Sequence, residues 1–266
     1  MGLAPGSKAI VISVGNELLI GKVVNTNFSW LGSKLTELGF RVDRGIVVPD
    51  DLEVISWAFR TAVDAGAKVV IATGGLGPTF DDMTSEGLAR AMGVEMELND
   101  DALEMIRRKY GGELTESRTK MAKMPRGAKP IANPVGTAPG VEVEWRGSMF
   151  FLLPGVPSEM MAMFEENIKP KLIQRVRTLK RAESLLRSIG LPESLAAPVV
   201  ENAAKIGEYT YVKSHPKGSE TGKPILELHV TAYGVSEEEA LNKLEEVINY
   251  LFRELSSRGA QVYRIG

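Results

Sequence analysis

The segment VVIATGGLGPTFDD, residues 69–82, places a glycine-rich turn directly after a short apolar run. The apolar run has the length and the β-branched residues that are typical of a buried strand. Three glycines follow within four residues, and glycine lets the backbone adopt positive φ and expose successive N–H groups. Because open α/β sheets bind ligands at the carboxyl ends of their strands, this turn predicts a binding site for phosphate.

The end of the same segment adds a hydroxyl and two carboxylates, at Thr79, Asp81 and Asp82. Hard oxygen ligands of this kind hold Mg²⁺ or Mn²⁺ beside phosphates. We therefore predict a metal and phosphate site. The alternative is a plain turn in which Asp81 or Asp82 caps a helix that starts near Met83.

A second turn follows the apolar run of residues 8–14, which predicts the first strand. It begins with Gly15, Asn16 and Glu17. Glu17 is either a surface acid or a carboxylate that faces the same crevice as the acid pair. The segment 25–27 (Asn-Thr-Asn) precedes a helical pattern and can supply a helix cap or contact a ligand, since helix N-termini favour anions.

The first part of the chain alternates strand and helix patterns. Strands are predicted at 41–48 and 69–72, and helices at 52–65, 84–92 and 100–110. Asp50 and Asp51 are interpreted mainly as caps of the helix that follows them. This alternation is typical of a parallel sheet with crossover helices, so the predicted class is α/β.

Two further turns lie between residues 134 and 160. The segment 136–140 (GTAPG) is a candidate backbone nest, although alone it would be only a loop. A hairpin is predicted over 141–153. The turn 154–157 (PGVP) comes next, and Ser158-Glu159 opens a helix, which gives a third loop after a strand.

Composition changes near Pro170. Residues 170–266 contain fourteen Lys and Arg, twelve Glu and no Asp, whereas the earlier part is net negative. We therefore predict an α/β domain over 1–169 and a small α+β accessory domain over 170–266, with the order β-α-β-β-α-β. The segment 213–223 is predicted as a hydrophilic hairpin loop.

Overall composition limits the classes of function. The chain of 266 residues has a formal charge of −2, so we expect no nucleic-acid partner. It has no apolar stretch of membrane-spanning length and no signal-peptide pattern, and we expect a cytoplasmic protein that binds small molecules. With no cysteine and only two histidines, catalysis would depend on carboxylates, hydroxyls and backbone amides.

Five motifs in order resemble the N-terminal domain of the competence/damage-inducible protein A (CinA) family, a branch of the molybdopterin-binding superfamily. They are GNELL at 15–19, TN at 26–27, TGGLGPTFDD at 73–82, GTAPG at 136–140 and LPGVPSEM at 153–160. The resemblance covers nearly the whole chain. Many members also carry a C-terminal nicotinamide mononucleotide deamidase domain, for which we expect no room here.

The resemblance implies a three-layer α/β domain and a homodimer. Relatives either bind molybdopterin or hydrolyse ADP-ribose to AMP and ribose 5-phosphate with a divalent cation (Mg, Mn or Co), sometimes with potassium. It assigns the metal to Asp81 and Asp82, with Glu17 as a further ligand or base. The phosphate- and nucleotide-binding candidates are Gly15, Asn16, Asn27, Thr73, Gly74, Gly75, Gly77, Pro78, Thr79, Gly136, Thr137, Ala138, Gly140, Pro154, Gly155 and Glu159.

Metal-dependent hydrolysis of a nucleotide pyrophosphate, with ADP-ribose as the substrate, is the primary expectation. Two alternatives stay open, since a fold does not fix its chemistry. One is a protein that binds or processes molybdopterin or adenylylated molybdopterin. The other is a non-catalytic nucleotide-binding module.

Overall fold

The apolar run before the glycine-rich turn forms a fully buried strand, and a six-stranded sheet is built around it. The computed structural model describes residues 3, 6–112, 114–175, 179–207, 209–217 and 224–265. The chain divides into two units, Met1–Arg177 and Thr178–Gly266.

The first unit contains eight strands and eight α-helices within its described residues. The strands are β1 (Lys8–Val14), β2 (Arg41–Val48), β3 (Val69–Thr73), β4 (Met96–Leu98), β5 (Lys123–Pro125), β6 (Lys129–Ile131), β7 (Gly140–Trp145) and β8 (Ser148–Leu153). The helices are α1 (Asn16–Leu19), α2 (Thr26–Glu37), α3 (Leu52–Asp64), α4 (Thr84–Met92), α5 (Asp100–Tyr110), α6 (Glu116–Lys120), α7 (Pro157–Met163) and α8 (Lys169–Arg175). A π-helical turn, Phe164–Ile168, joins α7 to α8.

The large sheet has the order β2-β1-β3-β8-β7-β6. Its first four strands are parallel, and β7 and β6 continue it in antiparallel fashion. The prediction of an α/β fold with a mostly parallel sheet is confirmed. Strands β4, β5 and β6 and helices α1 and α6 were not predicted, because segments of three to five residues are too short to show a period.

Both faces of the sheet are covered, which gives the predicted three layers. On β1, Ile10 and Ile12 face one apolar core with α3, α4 and α5, whereas Ala9 and Val11 face a second core with α2, α7 and α8. Alternate residues of a strand point to opposite faces, so one short strand anchors both cores. The ends of β1 and β3 are therefore rigidly placed.

Strand β1 lies between β2 and β3. The chain passes from β1 to β2 on one side of it and then returns to β3 on its other side. The order of the parallel strands thus reverses next to β1. Crevices at such reversal points, outside the carboxyl ends of the strands, are where open α/β sheets bind ligands. The turns after β1, β3 and β8 all open into this crevice.

The second unit is an antiparallel sheet with two helices. Its elements are β9 (Lys180–Ile189), α9 (Glu193–Ala203), β10 (Thr210–Pro216), β11 (Ile225–Gly234), α10 (Glu237–Ser257) and β12 (Gln261–Arg264). The sheet order is β10-β11-β9-β12. The element order matches the predicted α+β pattern. Part of the predicted loop at 213–223 is strand β10, and residues 218–223 lie outside the described part of the chain.

No helix among the described residues is both long and apolar enough to span a bilayer.

The predicted boundary at Pro170 falls inside helix α8, seven residues before the division at Arg177. Pro170 comes just after the π-helical turn Phe164–Ile168, in which the Lys169 N–H donates to the Phe164 carbonyl, so the residue without an N–H lies where the α-helical hydrogen-bond pattern is already interrupted. Leu172 of α8 is fully buried in the core of the first unit. Packing, rather than the change in composition, determines where the first unit ends.

We expect a fragment of residues 1–177 to fold and a fragment of residues 1–169 to be less stable. Removal of α8 takes Leu172 out of the core, and losing a buried leucine side chain costs about 2–5 kcal/mol. The shorter fragment should melt at least about 5 °C lower in thermal denaturation followed by circular dichroism. Equal melting temperatures would show that α8 does not belong to the first unit.

Candidate functional site

A cleft of about 510 Å³ lies at the carboxyl ends of the central strands. The turns after β1, β3 and β8, the start of α2 and the loop before β7 surround it. Its lining residues include Gly15, Glu17, Asn25, Asn27, Asp50, Thr73, Gly74, Gly75, Leu76, Gly77, Pro78, Thr79, Asp81, Asp82, Met121, Thr137, Ala138, Pro154, Gly155 and Glu159. This volume falls within the range of ordinary small-molecule sites.

Two glycines determine the path of the turn after β3. Gly74 and Gly75 have φ values of 97° and 65°. A Cβ on Gly74 would lie 2.2 Å from the carbonyl oxygen of Val14, and one on Gly75 would lie 2.2 Å from the hydroxyl oxygen of Thr84. Only glycine fits such conformations and contacts, and the turn after β3 can therefore touch the end of β1.

Thr84, at the start of α4, holds the turn in place. Its buried hydroxyl donates to the Gly74 carbonyl at 2.8 Å, and its N–H donates to the Gly75 carbonyl at 3.1 Å. The N–H groups of Gly75, Leu76 and Gly77 make no hydrogen bond with the described part of the chain. The turn therefore presents backbone donors of the kind that bind anions.

The acid pair organises Thr79 and does not cap a helix. Asp82 Oδ2 accepts a hydrogen bond from the Thr79 N–H at 2.8 Å, and the Thr79 hydroxyl oxygen lies 2.5 Å from both Asp81 Oδ1 and Asp82 Oδ2. Helix α4 begins at Thr84, and its N-cap residue, Met83, accepts no side-chain hydrogen bond. The alternative that these aspartates are only helix caps is wrong.

The hydrogen bond from Thr79 lowers the pKa of Asp81 below its ordinary value, and a backbone hydrogen bond and the Lys120 ammonium act in the same direction. A lowered pKa means that the contact stabilises the turn at neutral pH and is lost as the pH falls through that pKa. The Lys120 ammonium also donates to the Thr79 carbonyl. Asp81 is thus a carboxylate at neutral pH, available to bind a cation.

Asp50 holds the turn after β1, which differs from its predicted role as a helix cap. Asp51 caps α3 as expected, by accepting from the N–H groups of Glu53 and Val54. Asp50 instead accepts from the Asn16 N–H at 2.9 Å and lines the cleft. Its carboxylate joins that of Glu17, so two acids from neighbouring strand ends face the same space.

The backbone nest predicted at 136–140 does not have all of its N–H groups free for a ligand. The Gly136 N–H is occupied by Asn133 Oδ1 at 2.7 Å, and Asn133 Nδ2 donates to the Glu159 carboxylate at 2.7 Å. Gly140 is the first residue of β7, where a Cβ would lie 2.6 Å from the Leu152 carbonyl oxygen. Both glycines are required for packing rather than for ligand contact.

Asn27, in the first turn of α2, reaches across to the turn after β8. Its Nδ2 donates to the Gly155 carbonyl at 2.9 Å. Asn25 is the N-cap of α2, and its oxygen accepts from the Phe28 N–H at 3.0 Å. Asn27 is 8% exposed, and its Oδ1 atom has no hydrogen-bond partner within the described residues.

Most of the predicted site residues line this single cleft. The exceptions are Asn16, Gly136 and Gly140. The sequence reasoning missed Asp50, Leu76 and Met121 as lining residues. Asp50 follows the end of the second strand, β2, with only Pro49 between them, and this position could have been recognised. Met121 carries no such signal, because it reaches the cleft from a loop distant in sequence.

A second cleft, of about 890 Å³, also involves the turn after β3. Gly75, Gly77, Thr79 and Asp82 line both clefts, whereas Lys120 lines only the second one. The turn after β3 therefore contributes to both cavities.

The first cleft is strongly acidic. Five carboxylates line it, from Glu17, Asp50, Asp81, Asp82 and Glu159, and no lysine or arginine occurs among its described lining residues. Within the described chain, no group of three or more Asp, Glu and His side chains is arranged to hold a metal ion. The cleft is thus acidic without being a preformed metal cage.

Residues 10–174 match the model of a protein family described as "Probable molybdopterin binding domain". The match covers more than half of the chain. The chain belongs to this family.

The molybdopterin-binding domain of this chain coincides with the first unit and contains every lining residue of the first cleft. The second unit lies outside it. The CinA-like assignment agrees with a solved relative, the crystal structure of the protein CinA with unknown function from Thermoplasma acidophilum. It is 49% identical, has a TM-score of 0.60, and the alignment covers 62% of this chain and 99% of that one.

Other relatives extend over both units. A protein of Pyrobaculum arsenaticum is 50% identical over 258 residues, which is 96% of this chain and 97% of the relative. A protein of Aeropyrum pernix is 50% identical over 247 residues, which is 90% of this chain and 92% of the relative. The molybdopterin-binding domain and the accessory unit therefore occur together in these relatives.

We expect Gly74→Ala to lower the free energy of unfolding by about 3 kcal/mol, because it combines a strained φ with a backbone clash against Val14. Gly66→Ala is the matched control. Gly66 also has positive φ, 77°, but a Cβ there would meet no atom within 4 Å. The control should cost only about 1 kcal/mol in urea denaturation. Equal costs would mean that the contact with Val14 is unimportant.

Proposed function

We propose that the first cleft binds a phosphate-bearing pterin of the molybdopterin type, either free or adenylylated. The observation that supports this most is the family match, which spans all of the turns that line the cleft. The volume of about 510 Å³ suits a bicyclic ring with a phosphate. The phosphate would lie against the free N–H groups of Gly75, Leu76 and Gly77.

The charges of the cleft support binding together with a cation. A phosphate entering a cleft with five carboxylates and no described basic residue is repelled unless positive charge accompanies it. Mg²⁺ commonly uses one or two protein carboxylates together with substrate phosphates rather than a full protein cage.

The donor atoms of the turn fit such an ion. Asp81 and Asp82 each place a carboxylate oxygen beside the Thr79 hydroxyl, so the turn brings together three hard oxygen ligands of the kind that Mg²⁺ prefers. When bound, the ion would neutralise phosphate charge and polarise a phosphate oxygen.

We expect the full chain to bind 6-hydroxymethylpterin diphosphate in the presence of Mg²⁺, measured by isothermal titration calorimetry. Excess chelator should weaken binding at least about tenfold, since the cleft then offers only negative side chains to the ligand phosphates. The same pterin without its phosphates is the control and should respond little to chelator. Equal affinity with and without Mg²⁺ would contradict a role for the cation.

We propose, as a second candidate function, hydrolysis of the ADP-ribose pyrophosphate bond to AMP and ribose 5-phosphate. The observation in its favour is that Glu17 and Asp50 line the same cleft as the acid pair. Asp81 and Asp82 would hold the cation, and Glu17 or Asp50 would accept a proton from the attacking water. A non-catalytic nucleotide-binding module would bind ADP-ribose without turnover.

Asp81→Asn and Asp82→Asn separate these functions from simple folding. Neither residue caps α4, so both variants should keep melting temperatures within about 3 °C of the parent. We expect at least one variant to lose about a hundredfold or more in metal-dependent ligand binding or ADP-ribose turnover. Near-parental values in both variants at low Mg²⁺ would exclude the acid pair as the cation site. Asp51→Asn, which alters a helix cap outside the cleft, is the control.

A homodimer and a cytoplasmic location are part of this proposal, on the strength of the CinA-like resemblance. Sedimentation velocity on the full chain tests whether it forms a homodimer.

A further inference from the structure

One residue that lines the first cleft, Asn27, has a buried polar atom without a partner among the described residues. Asn27 is 8% exposed and lines the cleft together with Gly155. Three buried side-chain polar atoms lack a hydrogen-bond partner within the described residues, and Asn27 Oδ1 is the one that belongs to the first unit. Buried polar atoms are nearly always paired, so this one requires an explanation.

The orientation of the Asn27 amide is fixed by its neighbour. Nδ2 donates to the Gly155 carbonyl oxygen at 2.9 Å, and a carbonyl oxygen can only accept. Turning the amide over would place two acceptors against each other. Oδ1 is therefore the free atom, and it needs a donor.

The neighbouring Asn25 shows that an asparagine here can be fully paired. Its Nδ2 donates to the Ser13 hydroxyl oxygen at 2.9 Å, and its Oδ1 accepts from the Phe28 N–H at 3.0 Å. Both asparagines line the cleft, but only Asn27 has an unpaired oxygen. The difference is specific to Asn27 and is not a general property of this helix end.

The unpaired Asn27 Oδ1 atom discriminates between the phosphate and the organic part of a ligand. A phosphate oxygen is an acceptor and is repelled by another acceptor, whereas the N–H groups of a pterin ring or the hydroxyl groups of a sugar can donate. The turn after β3 offers backbone N–H groups, which are donors. The cleft thus contains donors for the phosphate of an organic phosphate and, at Asn27, an acceptor for its organic part.

We propose that Asn27 is a specificity-determining residue, whose Oδ1 accepts a hydrogen bond from an N–H or O–H of the organic part of the ligand. This orients the ligand with its phosphates at the turn after β3. The inference rests on the proposed function, in that it assumes an organic phosphate in the first cleft. For a pterin, the donors are the ring N–H and the exocyclic amino group.

The test compares two ligands that share their phosphates. Affinities of the full chain for 6-hydroxymethylpterin diphosphate and for inorganic pyrophosphate are measured by calorimetry with Mg²⁺, in the parent and in three variants. Asn27→Leu keeps the approximate shape but has no acceptor. Asn27→Asp keeps an acceptor and loses the donor to Gly155. Asn99→Ser, at the N-cap of α5 outside the cleft, keeps an oxygen for its helix cap and is the matched control.

We expect the ratio of the two affinities to fall about tenfold in Asn27→Leu, the size of effect that one buried hydrogen bond produces. It should stay within about threefold of the parent in Asn27→Asp and in Asn99→Ser. Using a ratio cancels any effect on the phosphate end, including charge repulsion in Asn27→Asp. Circular dichroism verifies that each variant is folded.

An unchanged ratio in Asn27→Leu would overturn the inference, because a bound water would then be the partner of Oδ1. An equal loss of affinity for both ligands would also overturn it, and would assign Asn27 only the structural role of holding the Gly155 carbonyl. ADP-ribose serves as a second organic ligand. If it binds with the same dependence on Asn27 while the pterin does not bind, the pterin function fails and the inference stands. If neither organic ligand binds more tightly than pyrophosphate, the proposed function and the inference about Asn27 both fail.

Discussion

The close approach of Gly74 to the Val14 carbonyl is the constraint on which the site depends. A Cβ at this position would lie 2.2 Å from that oxygen, so a side chain would force the ends of β1 and β3 apart. The contact lets the turn after β3 fold back over the sheet, where the Thr84 hydroxyl fixes it at 2.8 Å from the Gly74 carbonyl. Backbone donors, the acid pair and the turn after β1 then share one crevice.

The cleft combines hydrogen-bond donors and acceptors. Backbone N–H groups lie at the start of the turn after β3, the acid pair lies at the end of the same turn, and Glu17, Asp50, Glu159 and the Asn27 oxygen come from other elements. An organic phosphate with a cation complements this distribution, because it has acceptors at one end and donors at the other. The same distribution disfavours a bare polyanion. The fold alone would not distinguish these ligands.

The α/β class and most of the lining residues could be predicted because they depend on patterns that are local in the chain, whereas the three layers were implied by the resemblance to the CinA family. The strands and helices of the first unit show clear periods, and a glycine-rich turn after a strand has a known physical consequence. What could not be predicted depends on contacts across the fold. The occupation of the Gly136 N–H by Asn133, the placement of Asp50 beside Asn16 and the burial of Leu172 beyond Pro170 are of this kind. The assignment of a metal to Asp81 and Asp82 is still a prediction.

The turn after β3 lines two cavities, of about 510 and 890 Å³. Thr79 lines both of them and is hydrogen-bonded to Asp82 within the turn and to Lys120, which lines only the second cavity. A ligand that immobilises Thr79 in the first cavity therefore also restricts a residue of the second one. The residues around Lys120 would then influence binding without touching the ligand.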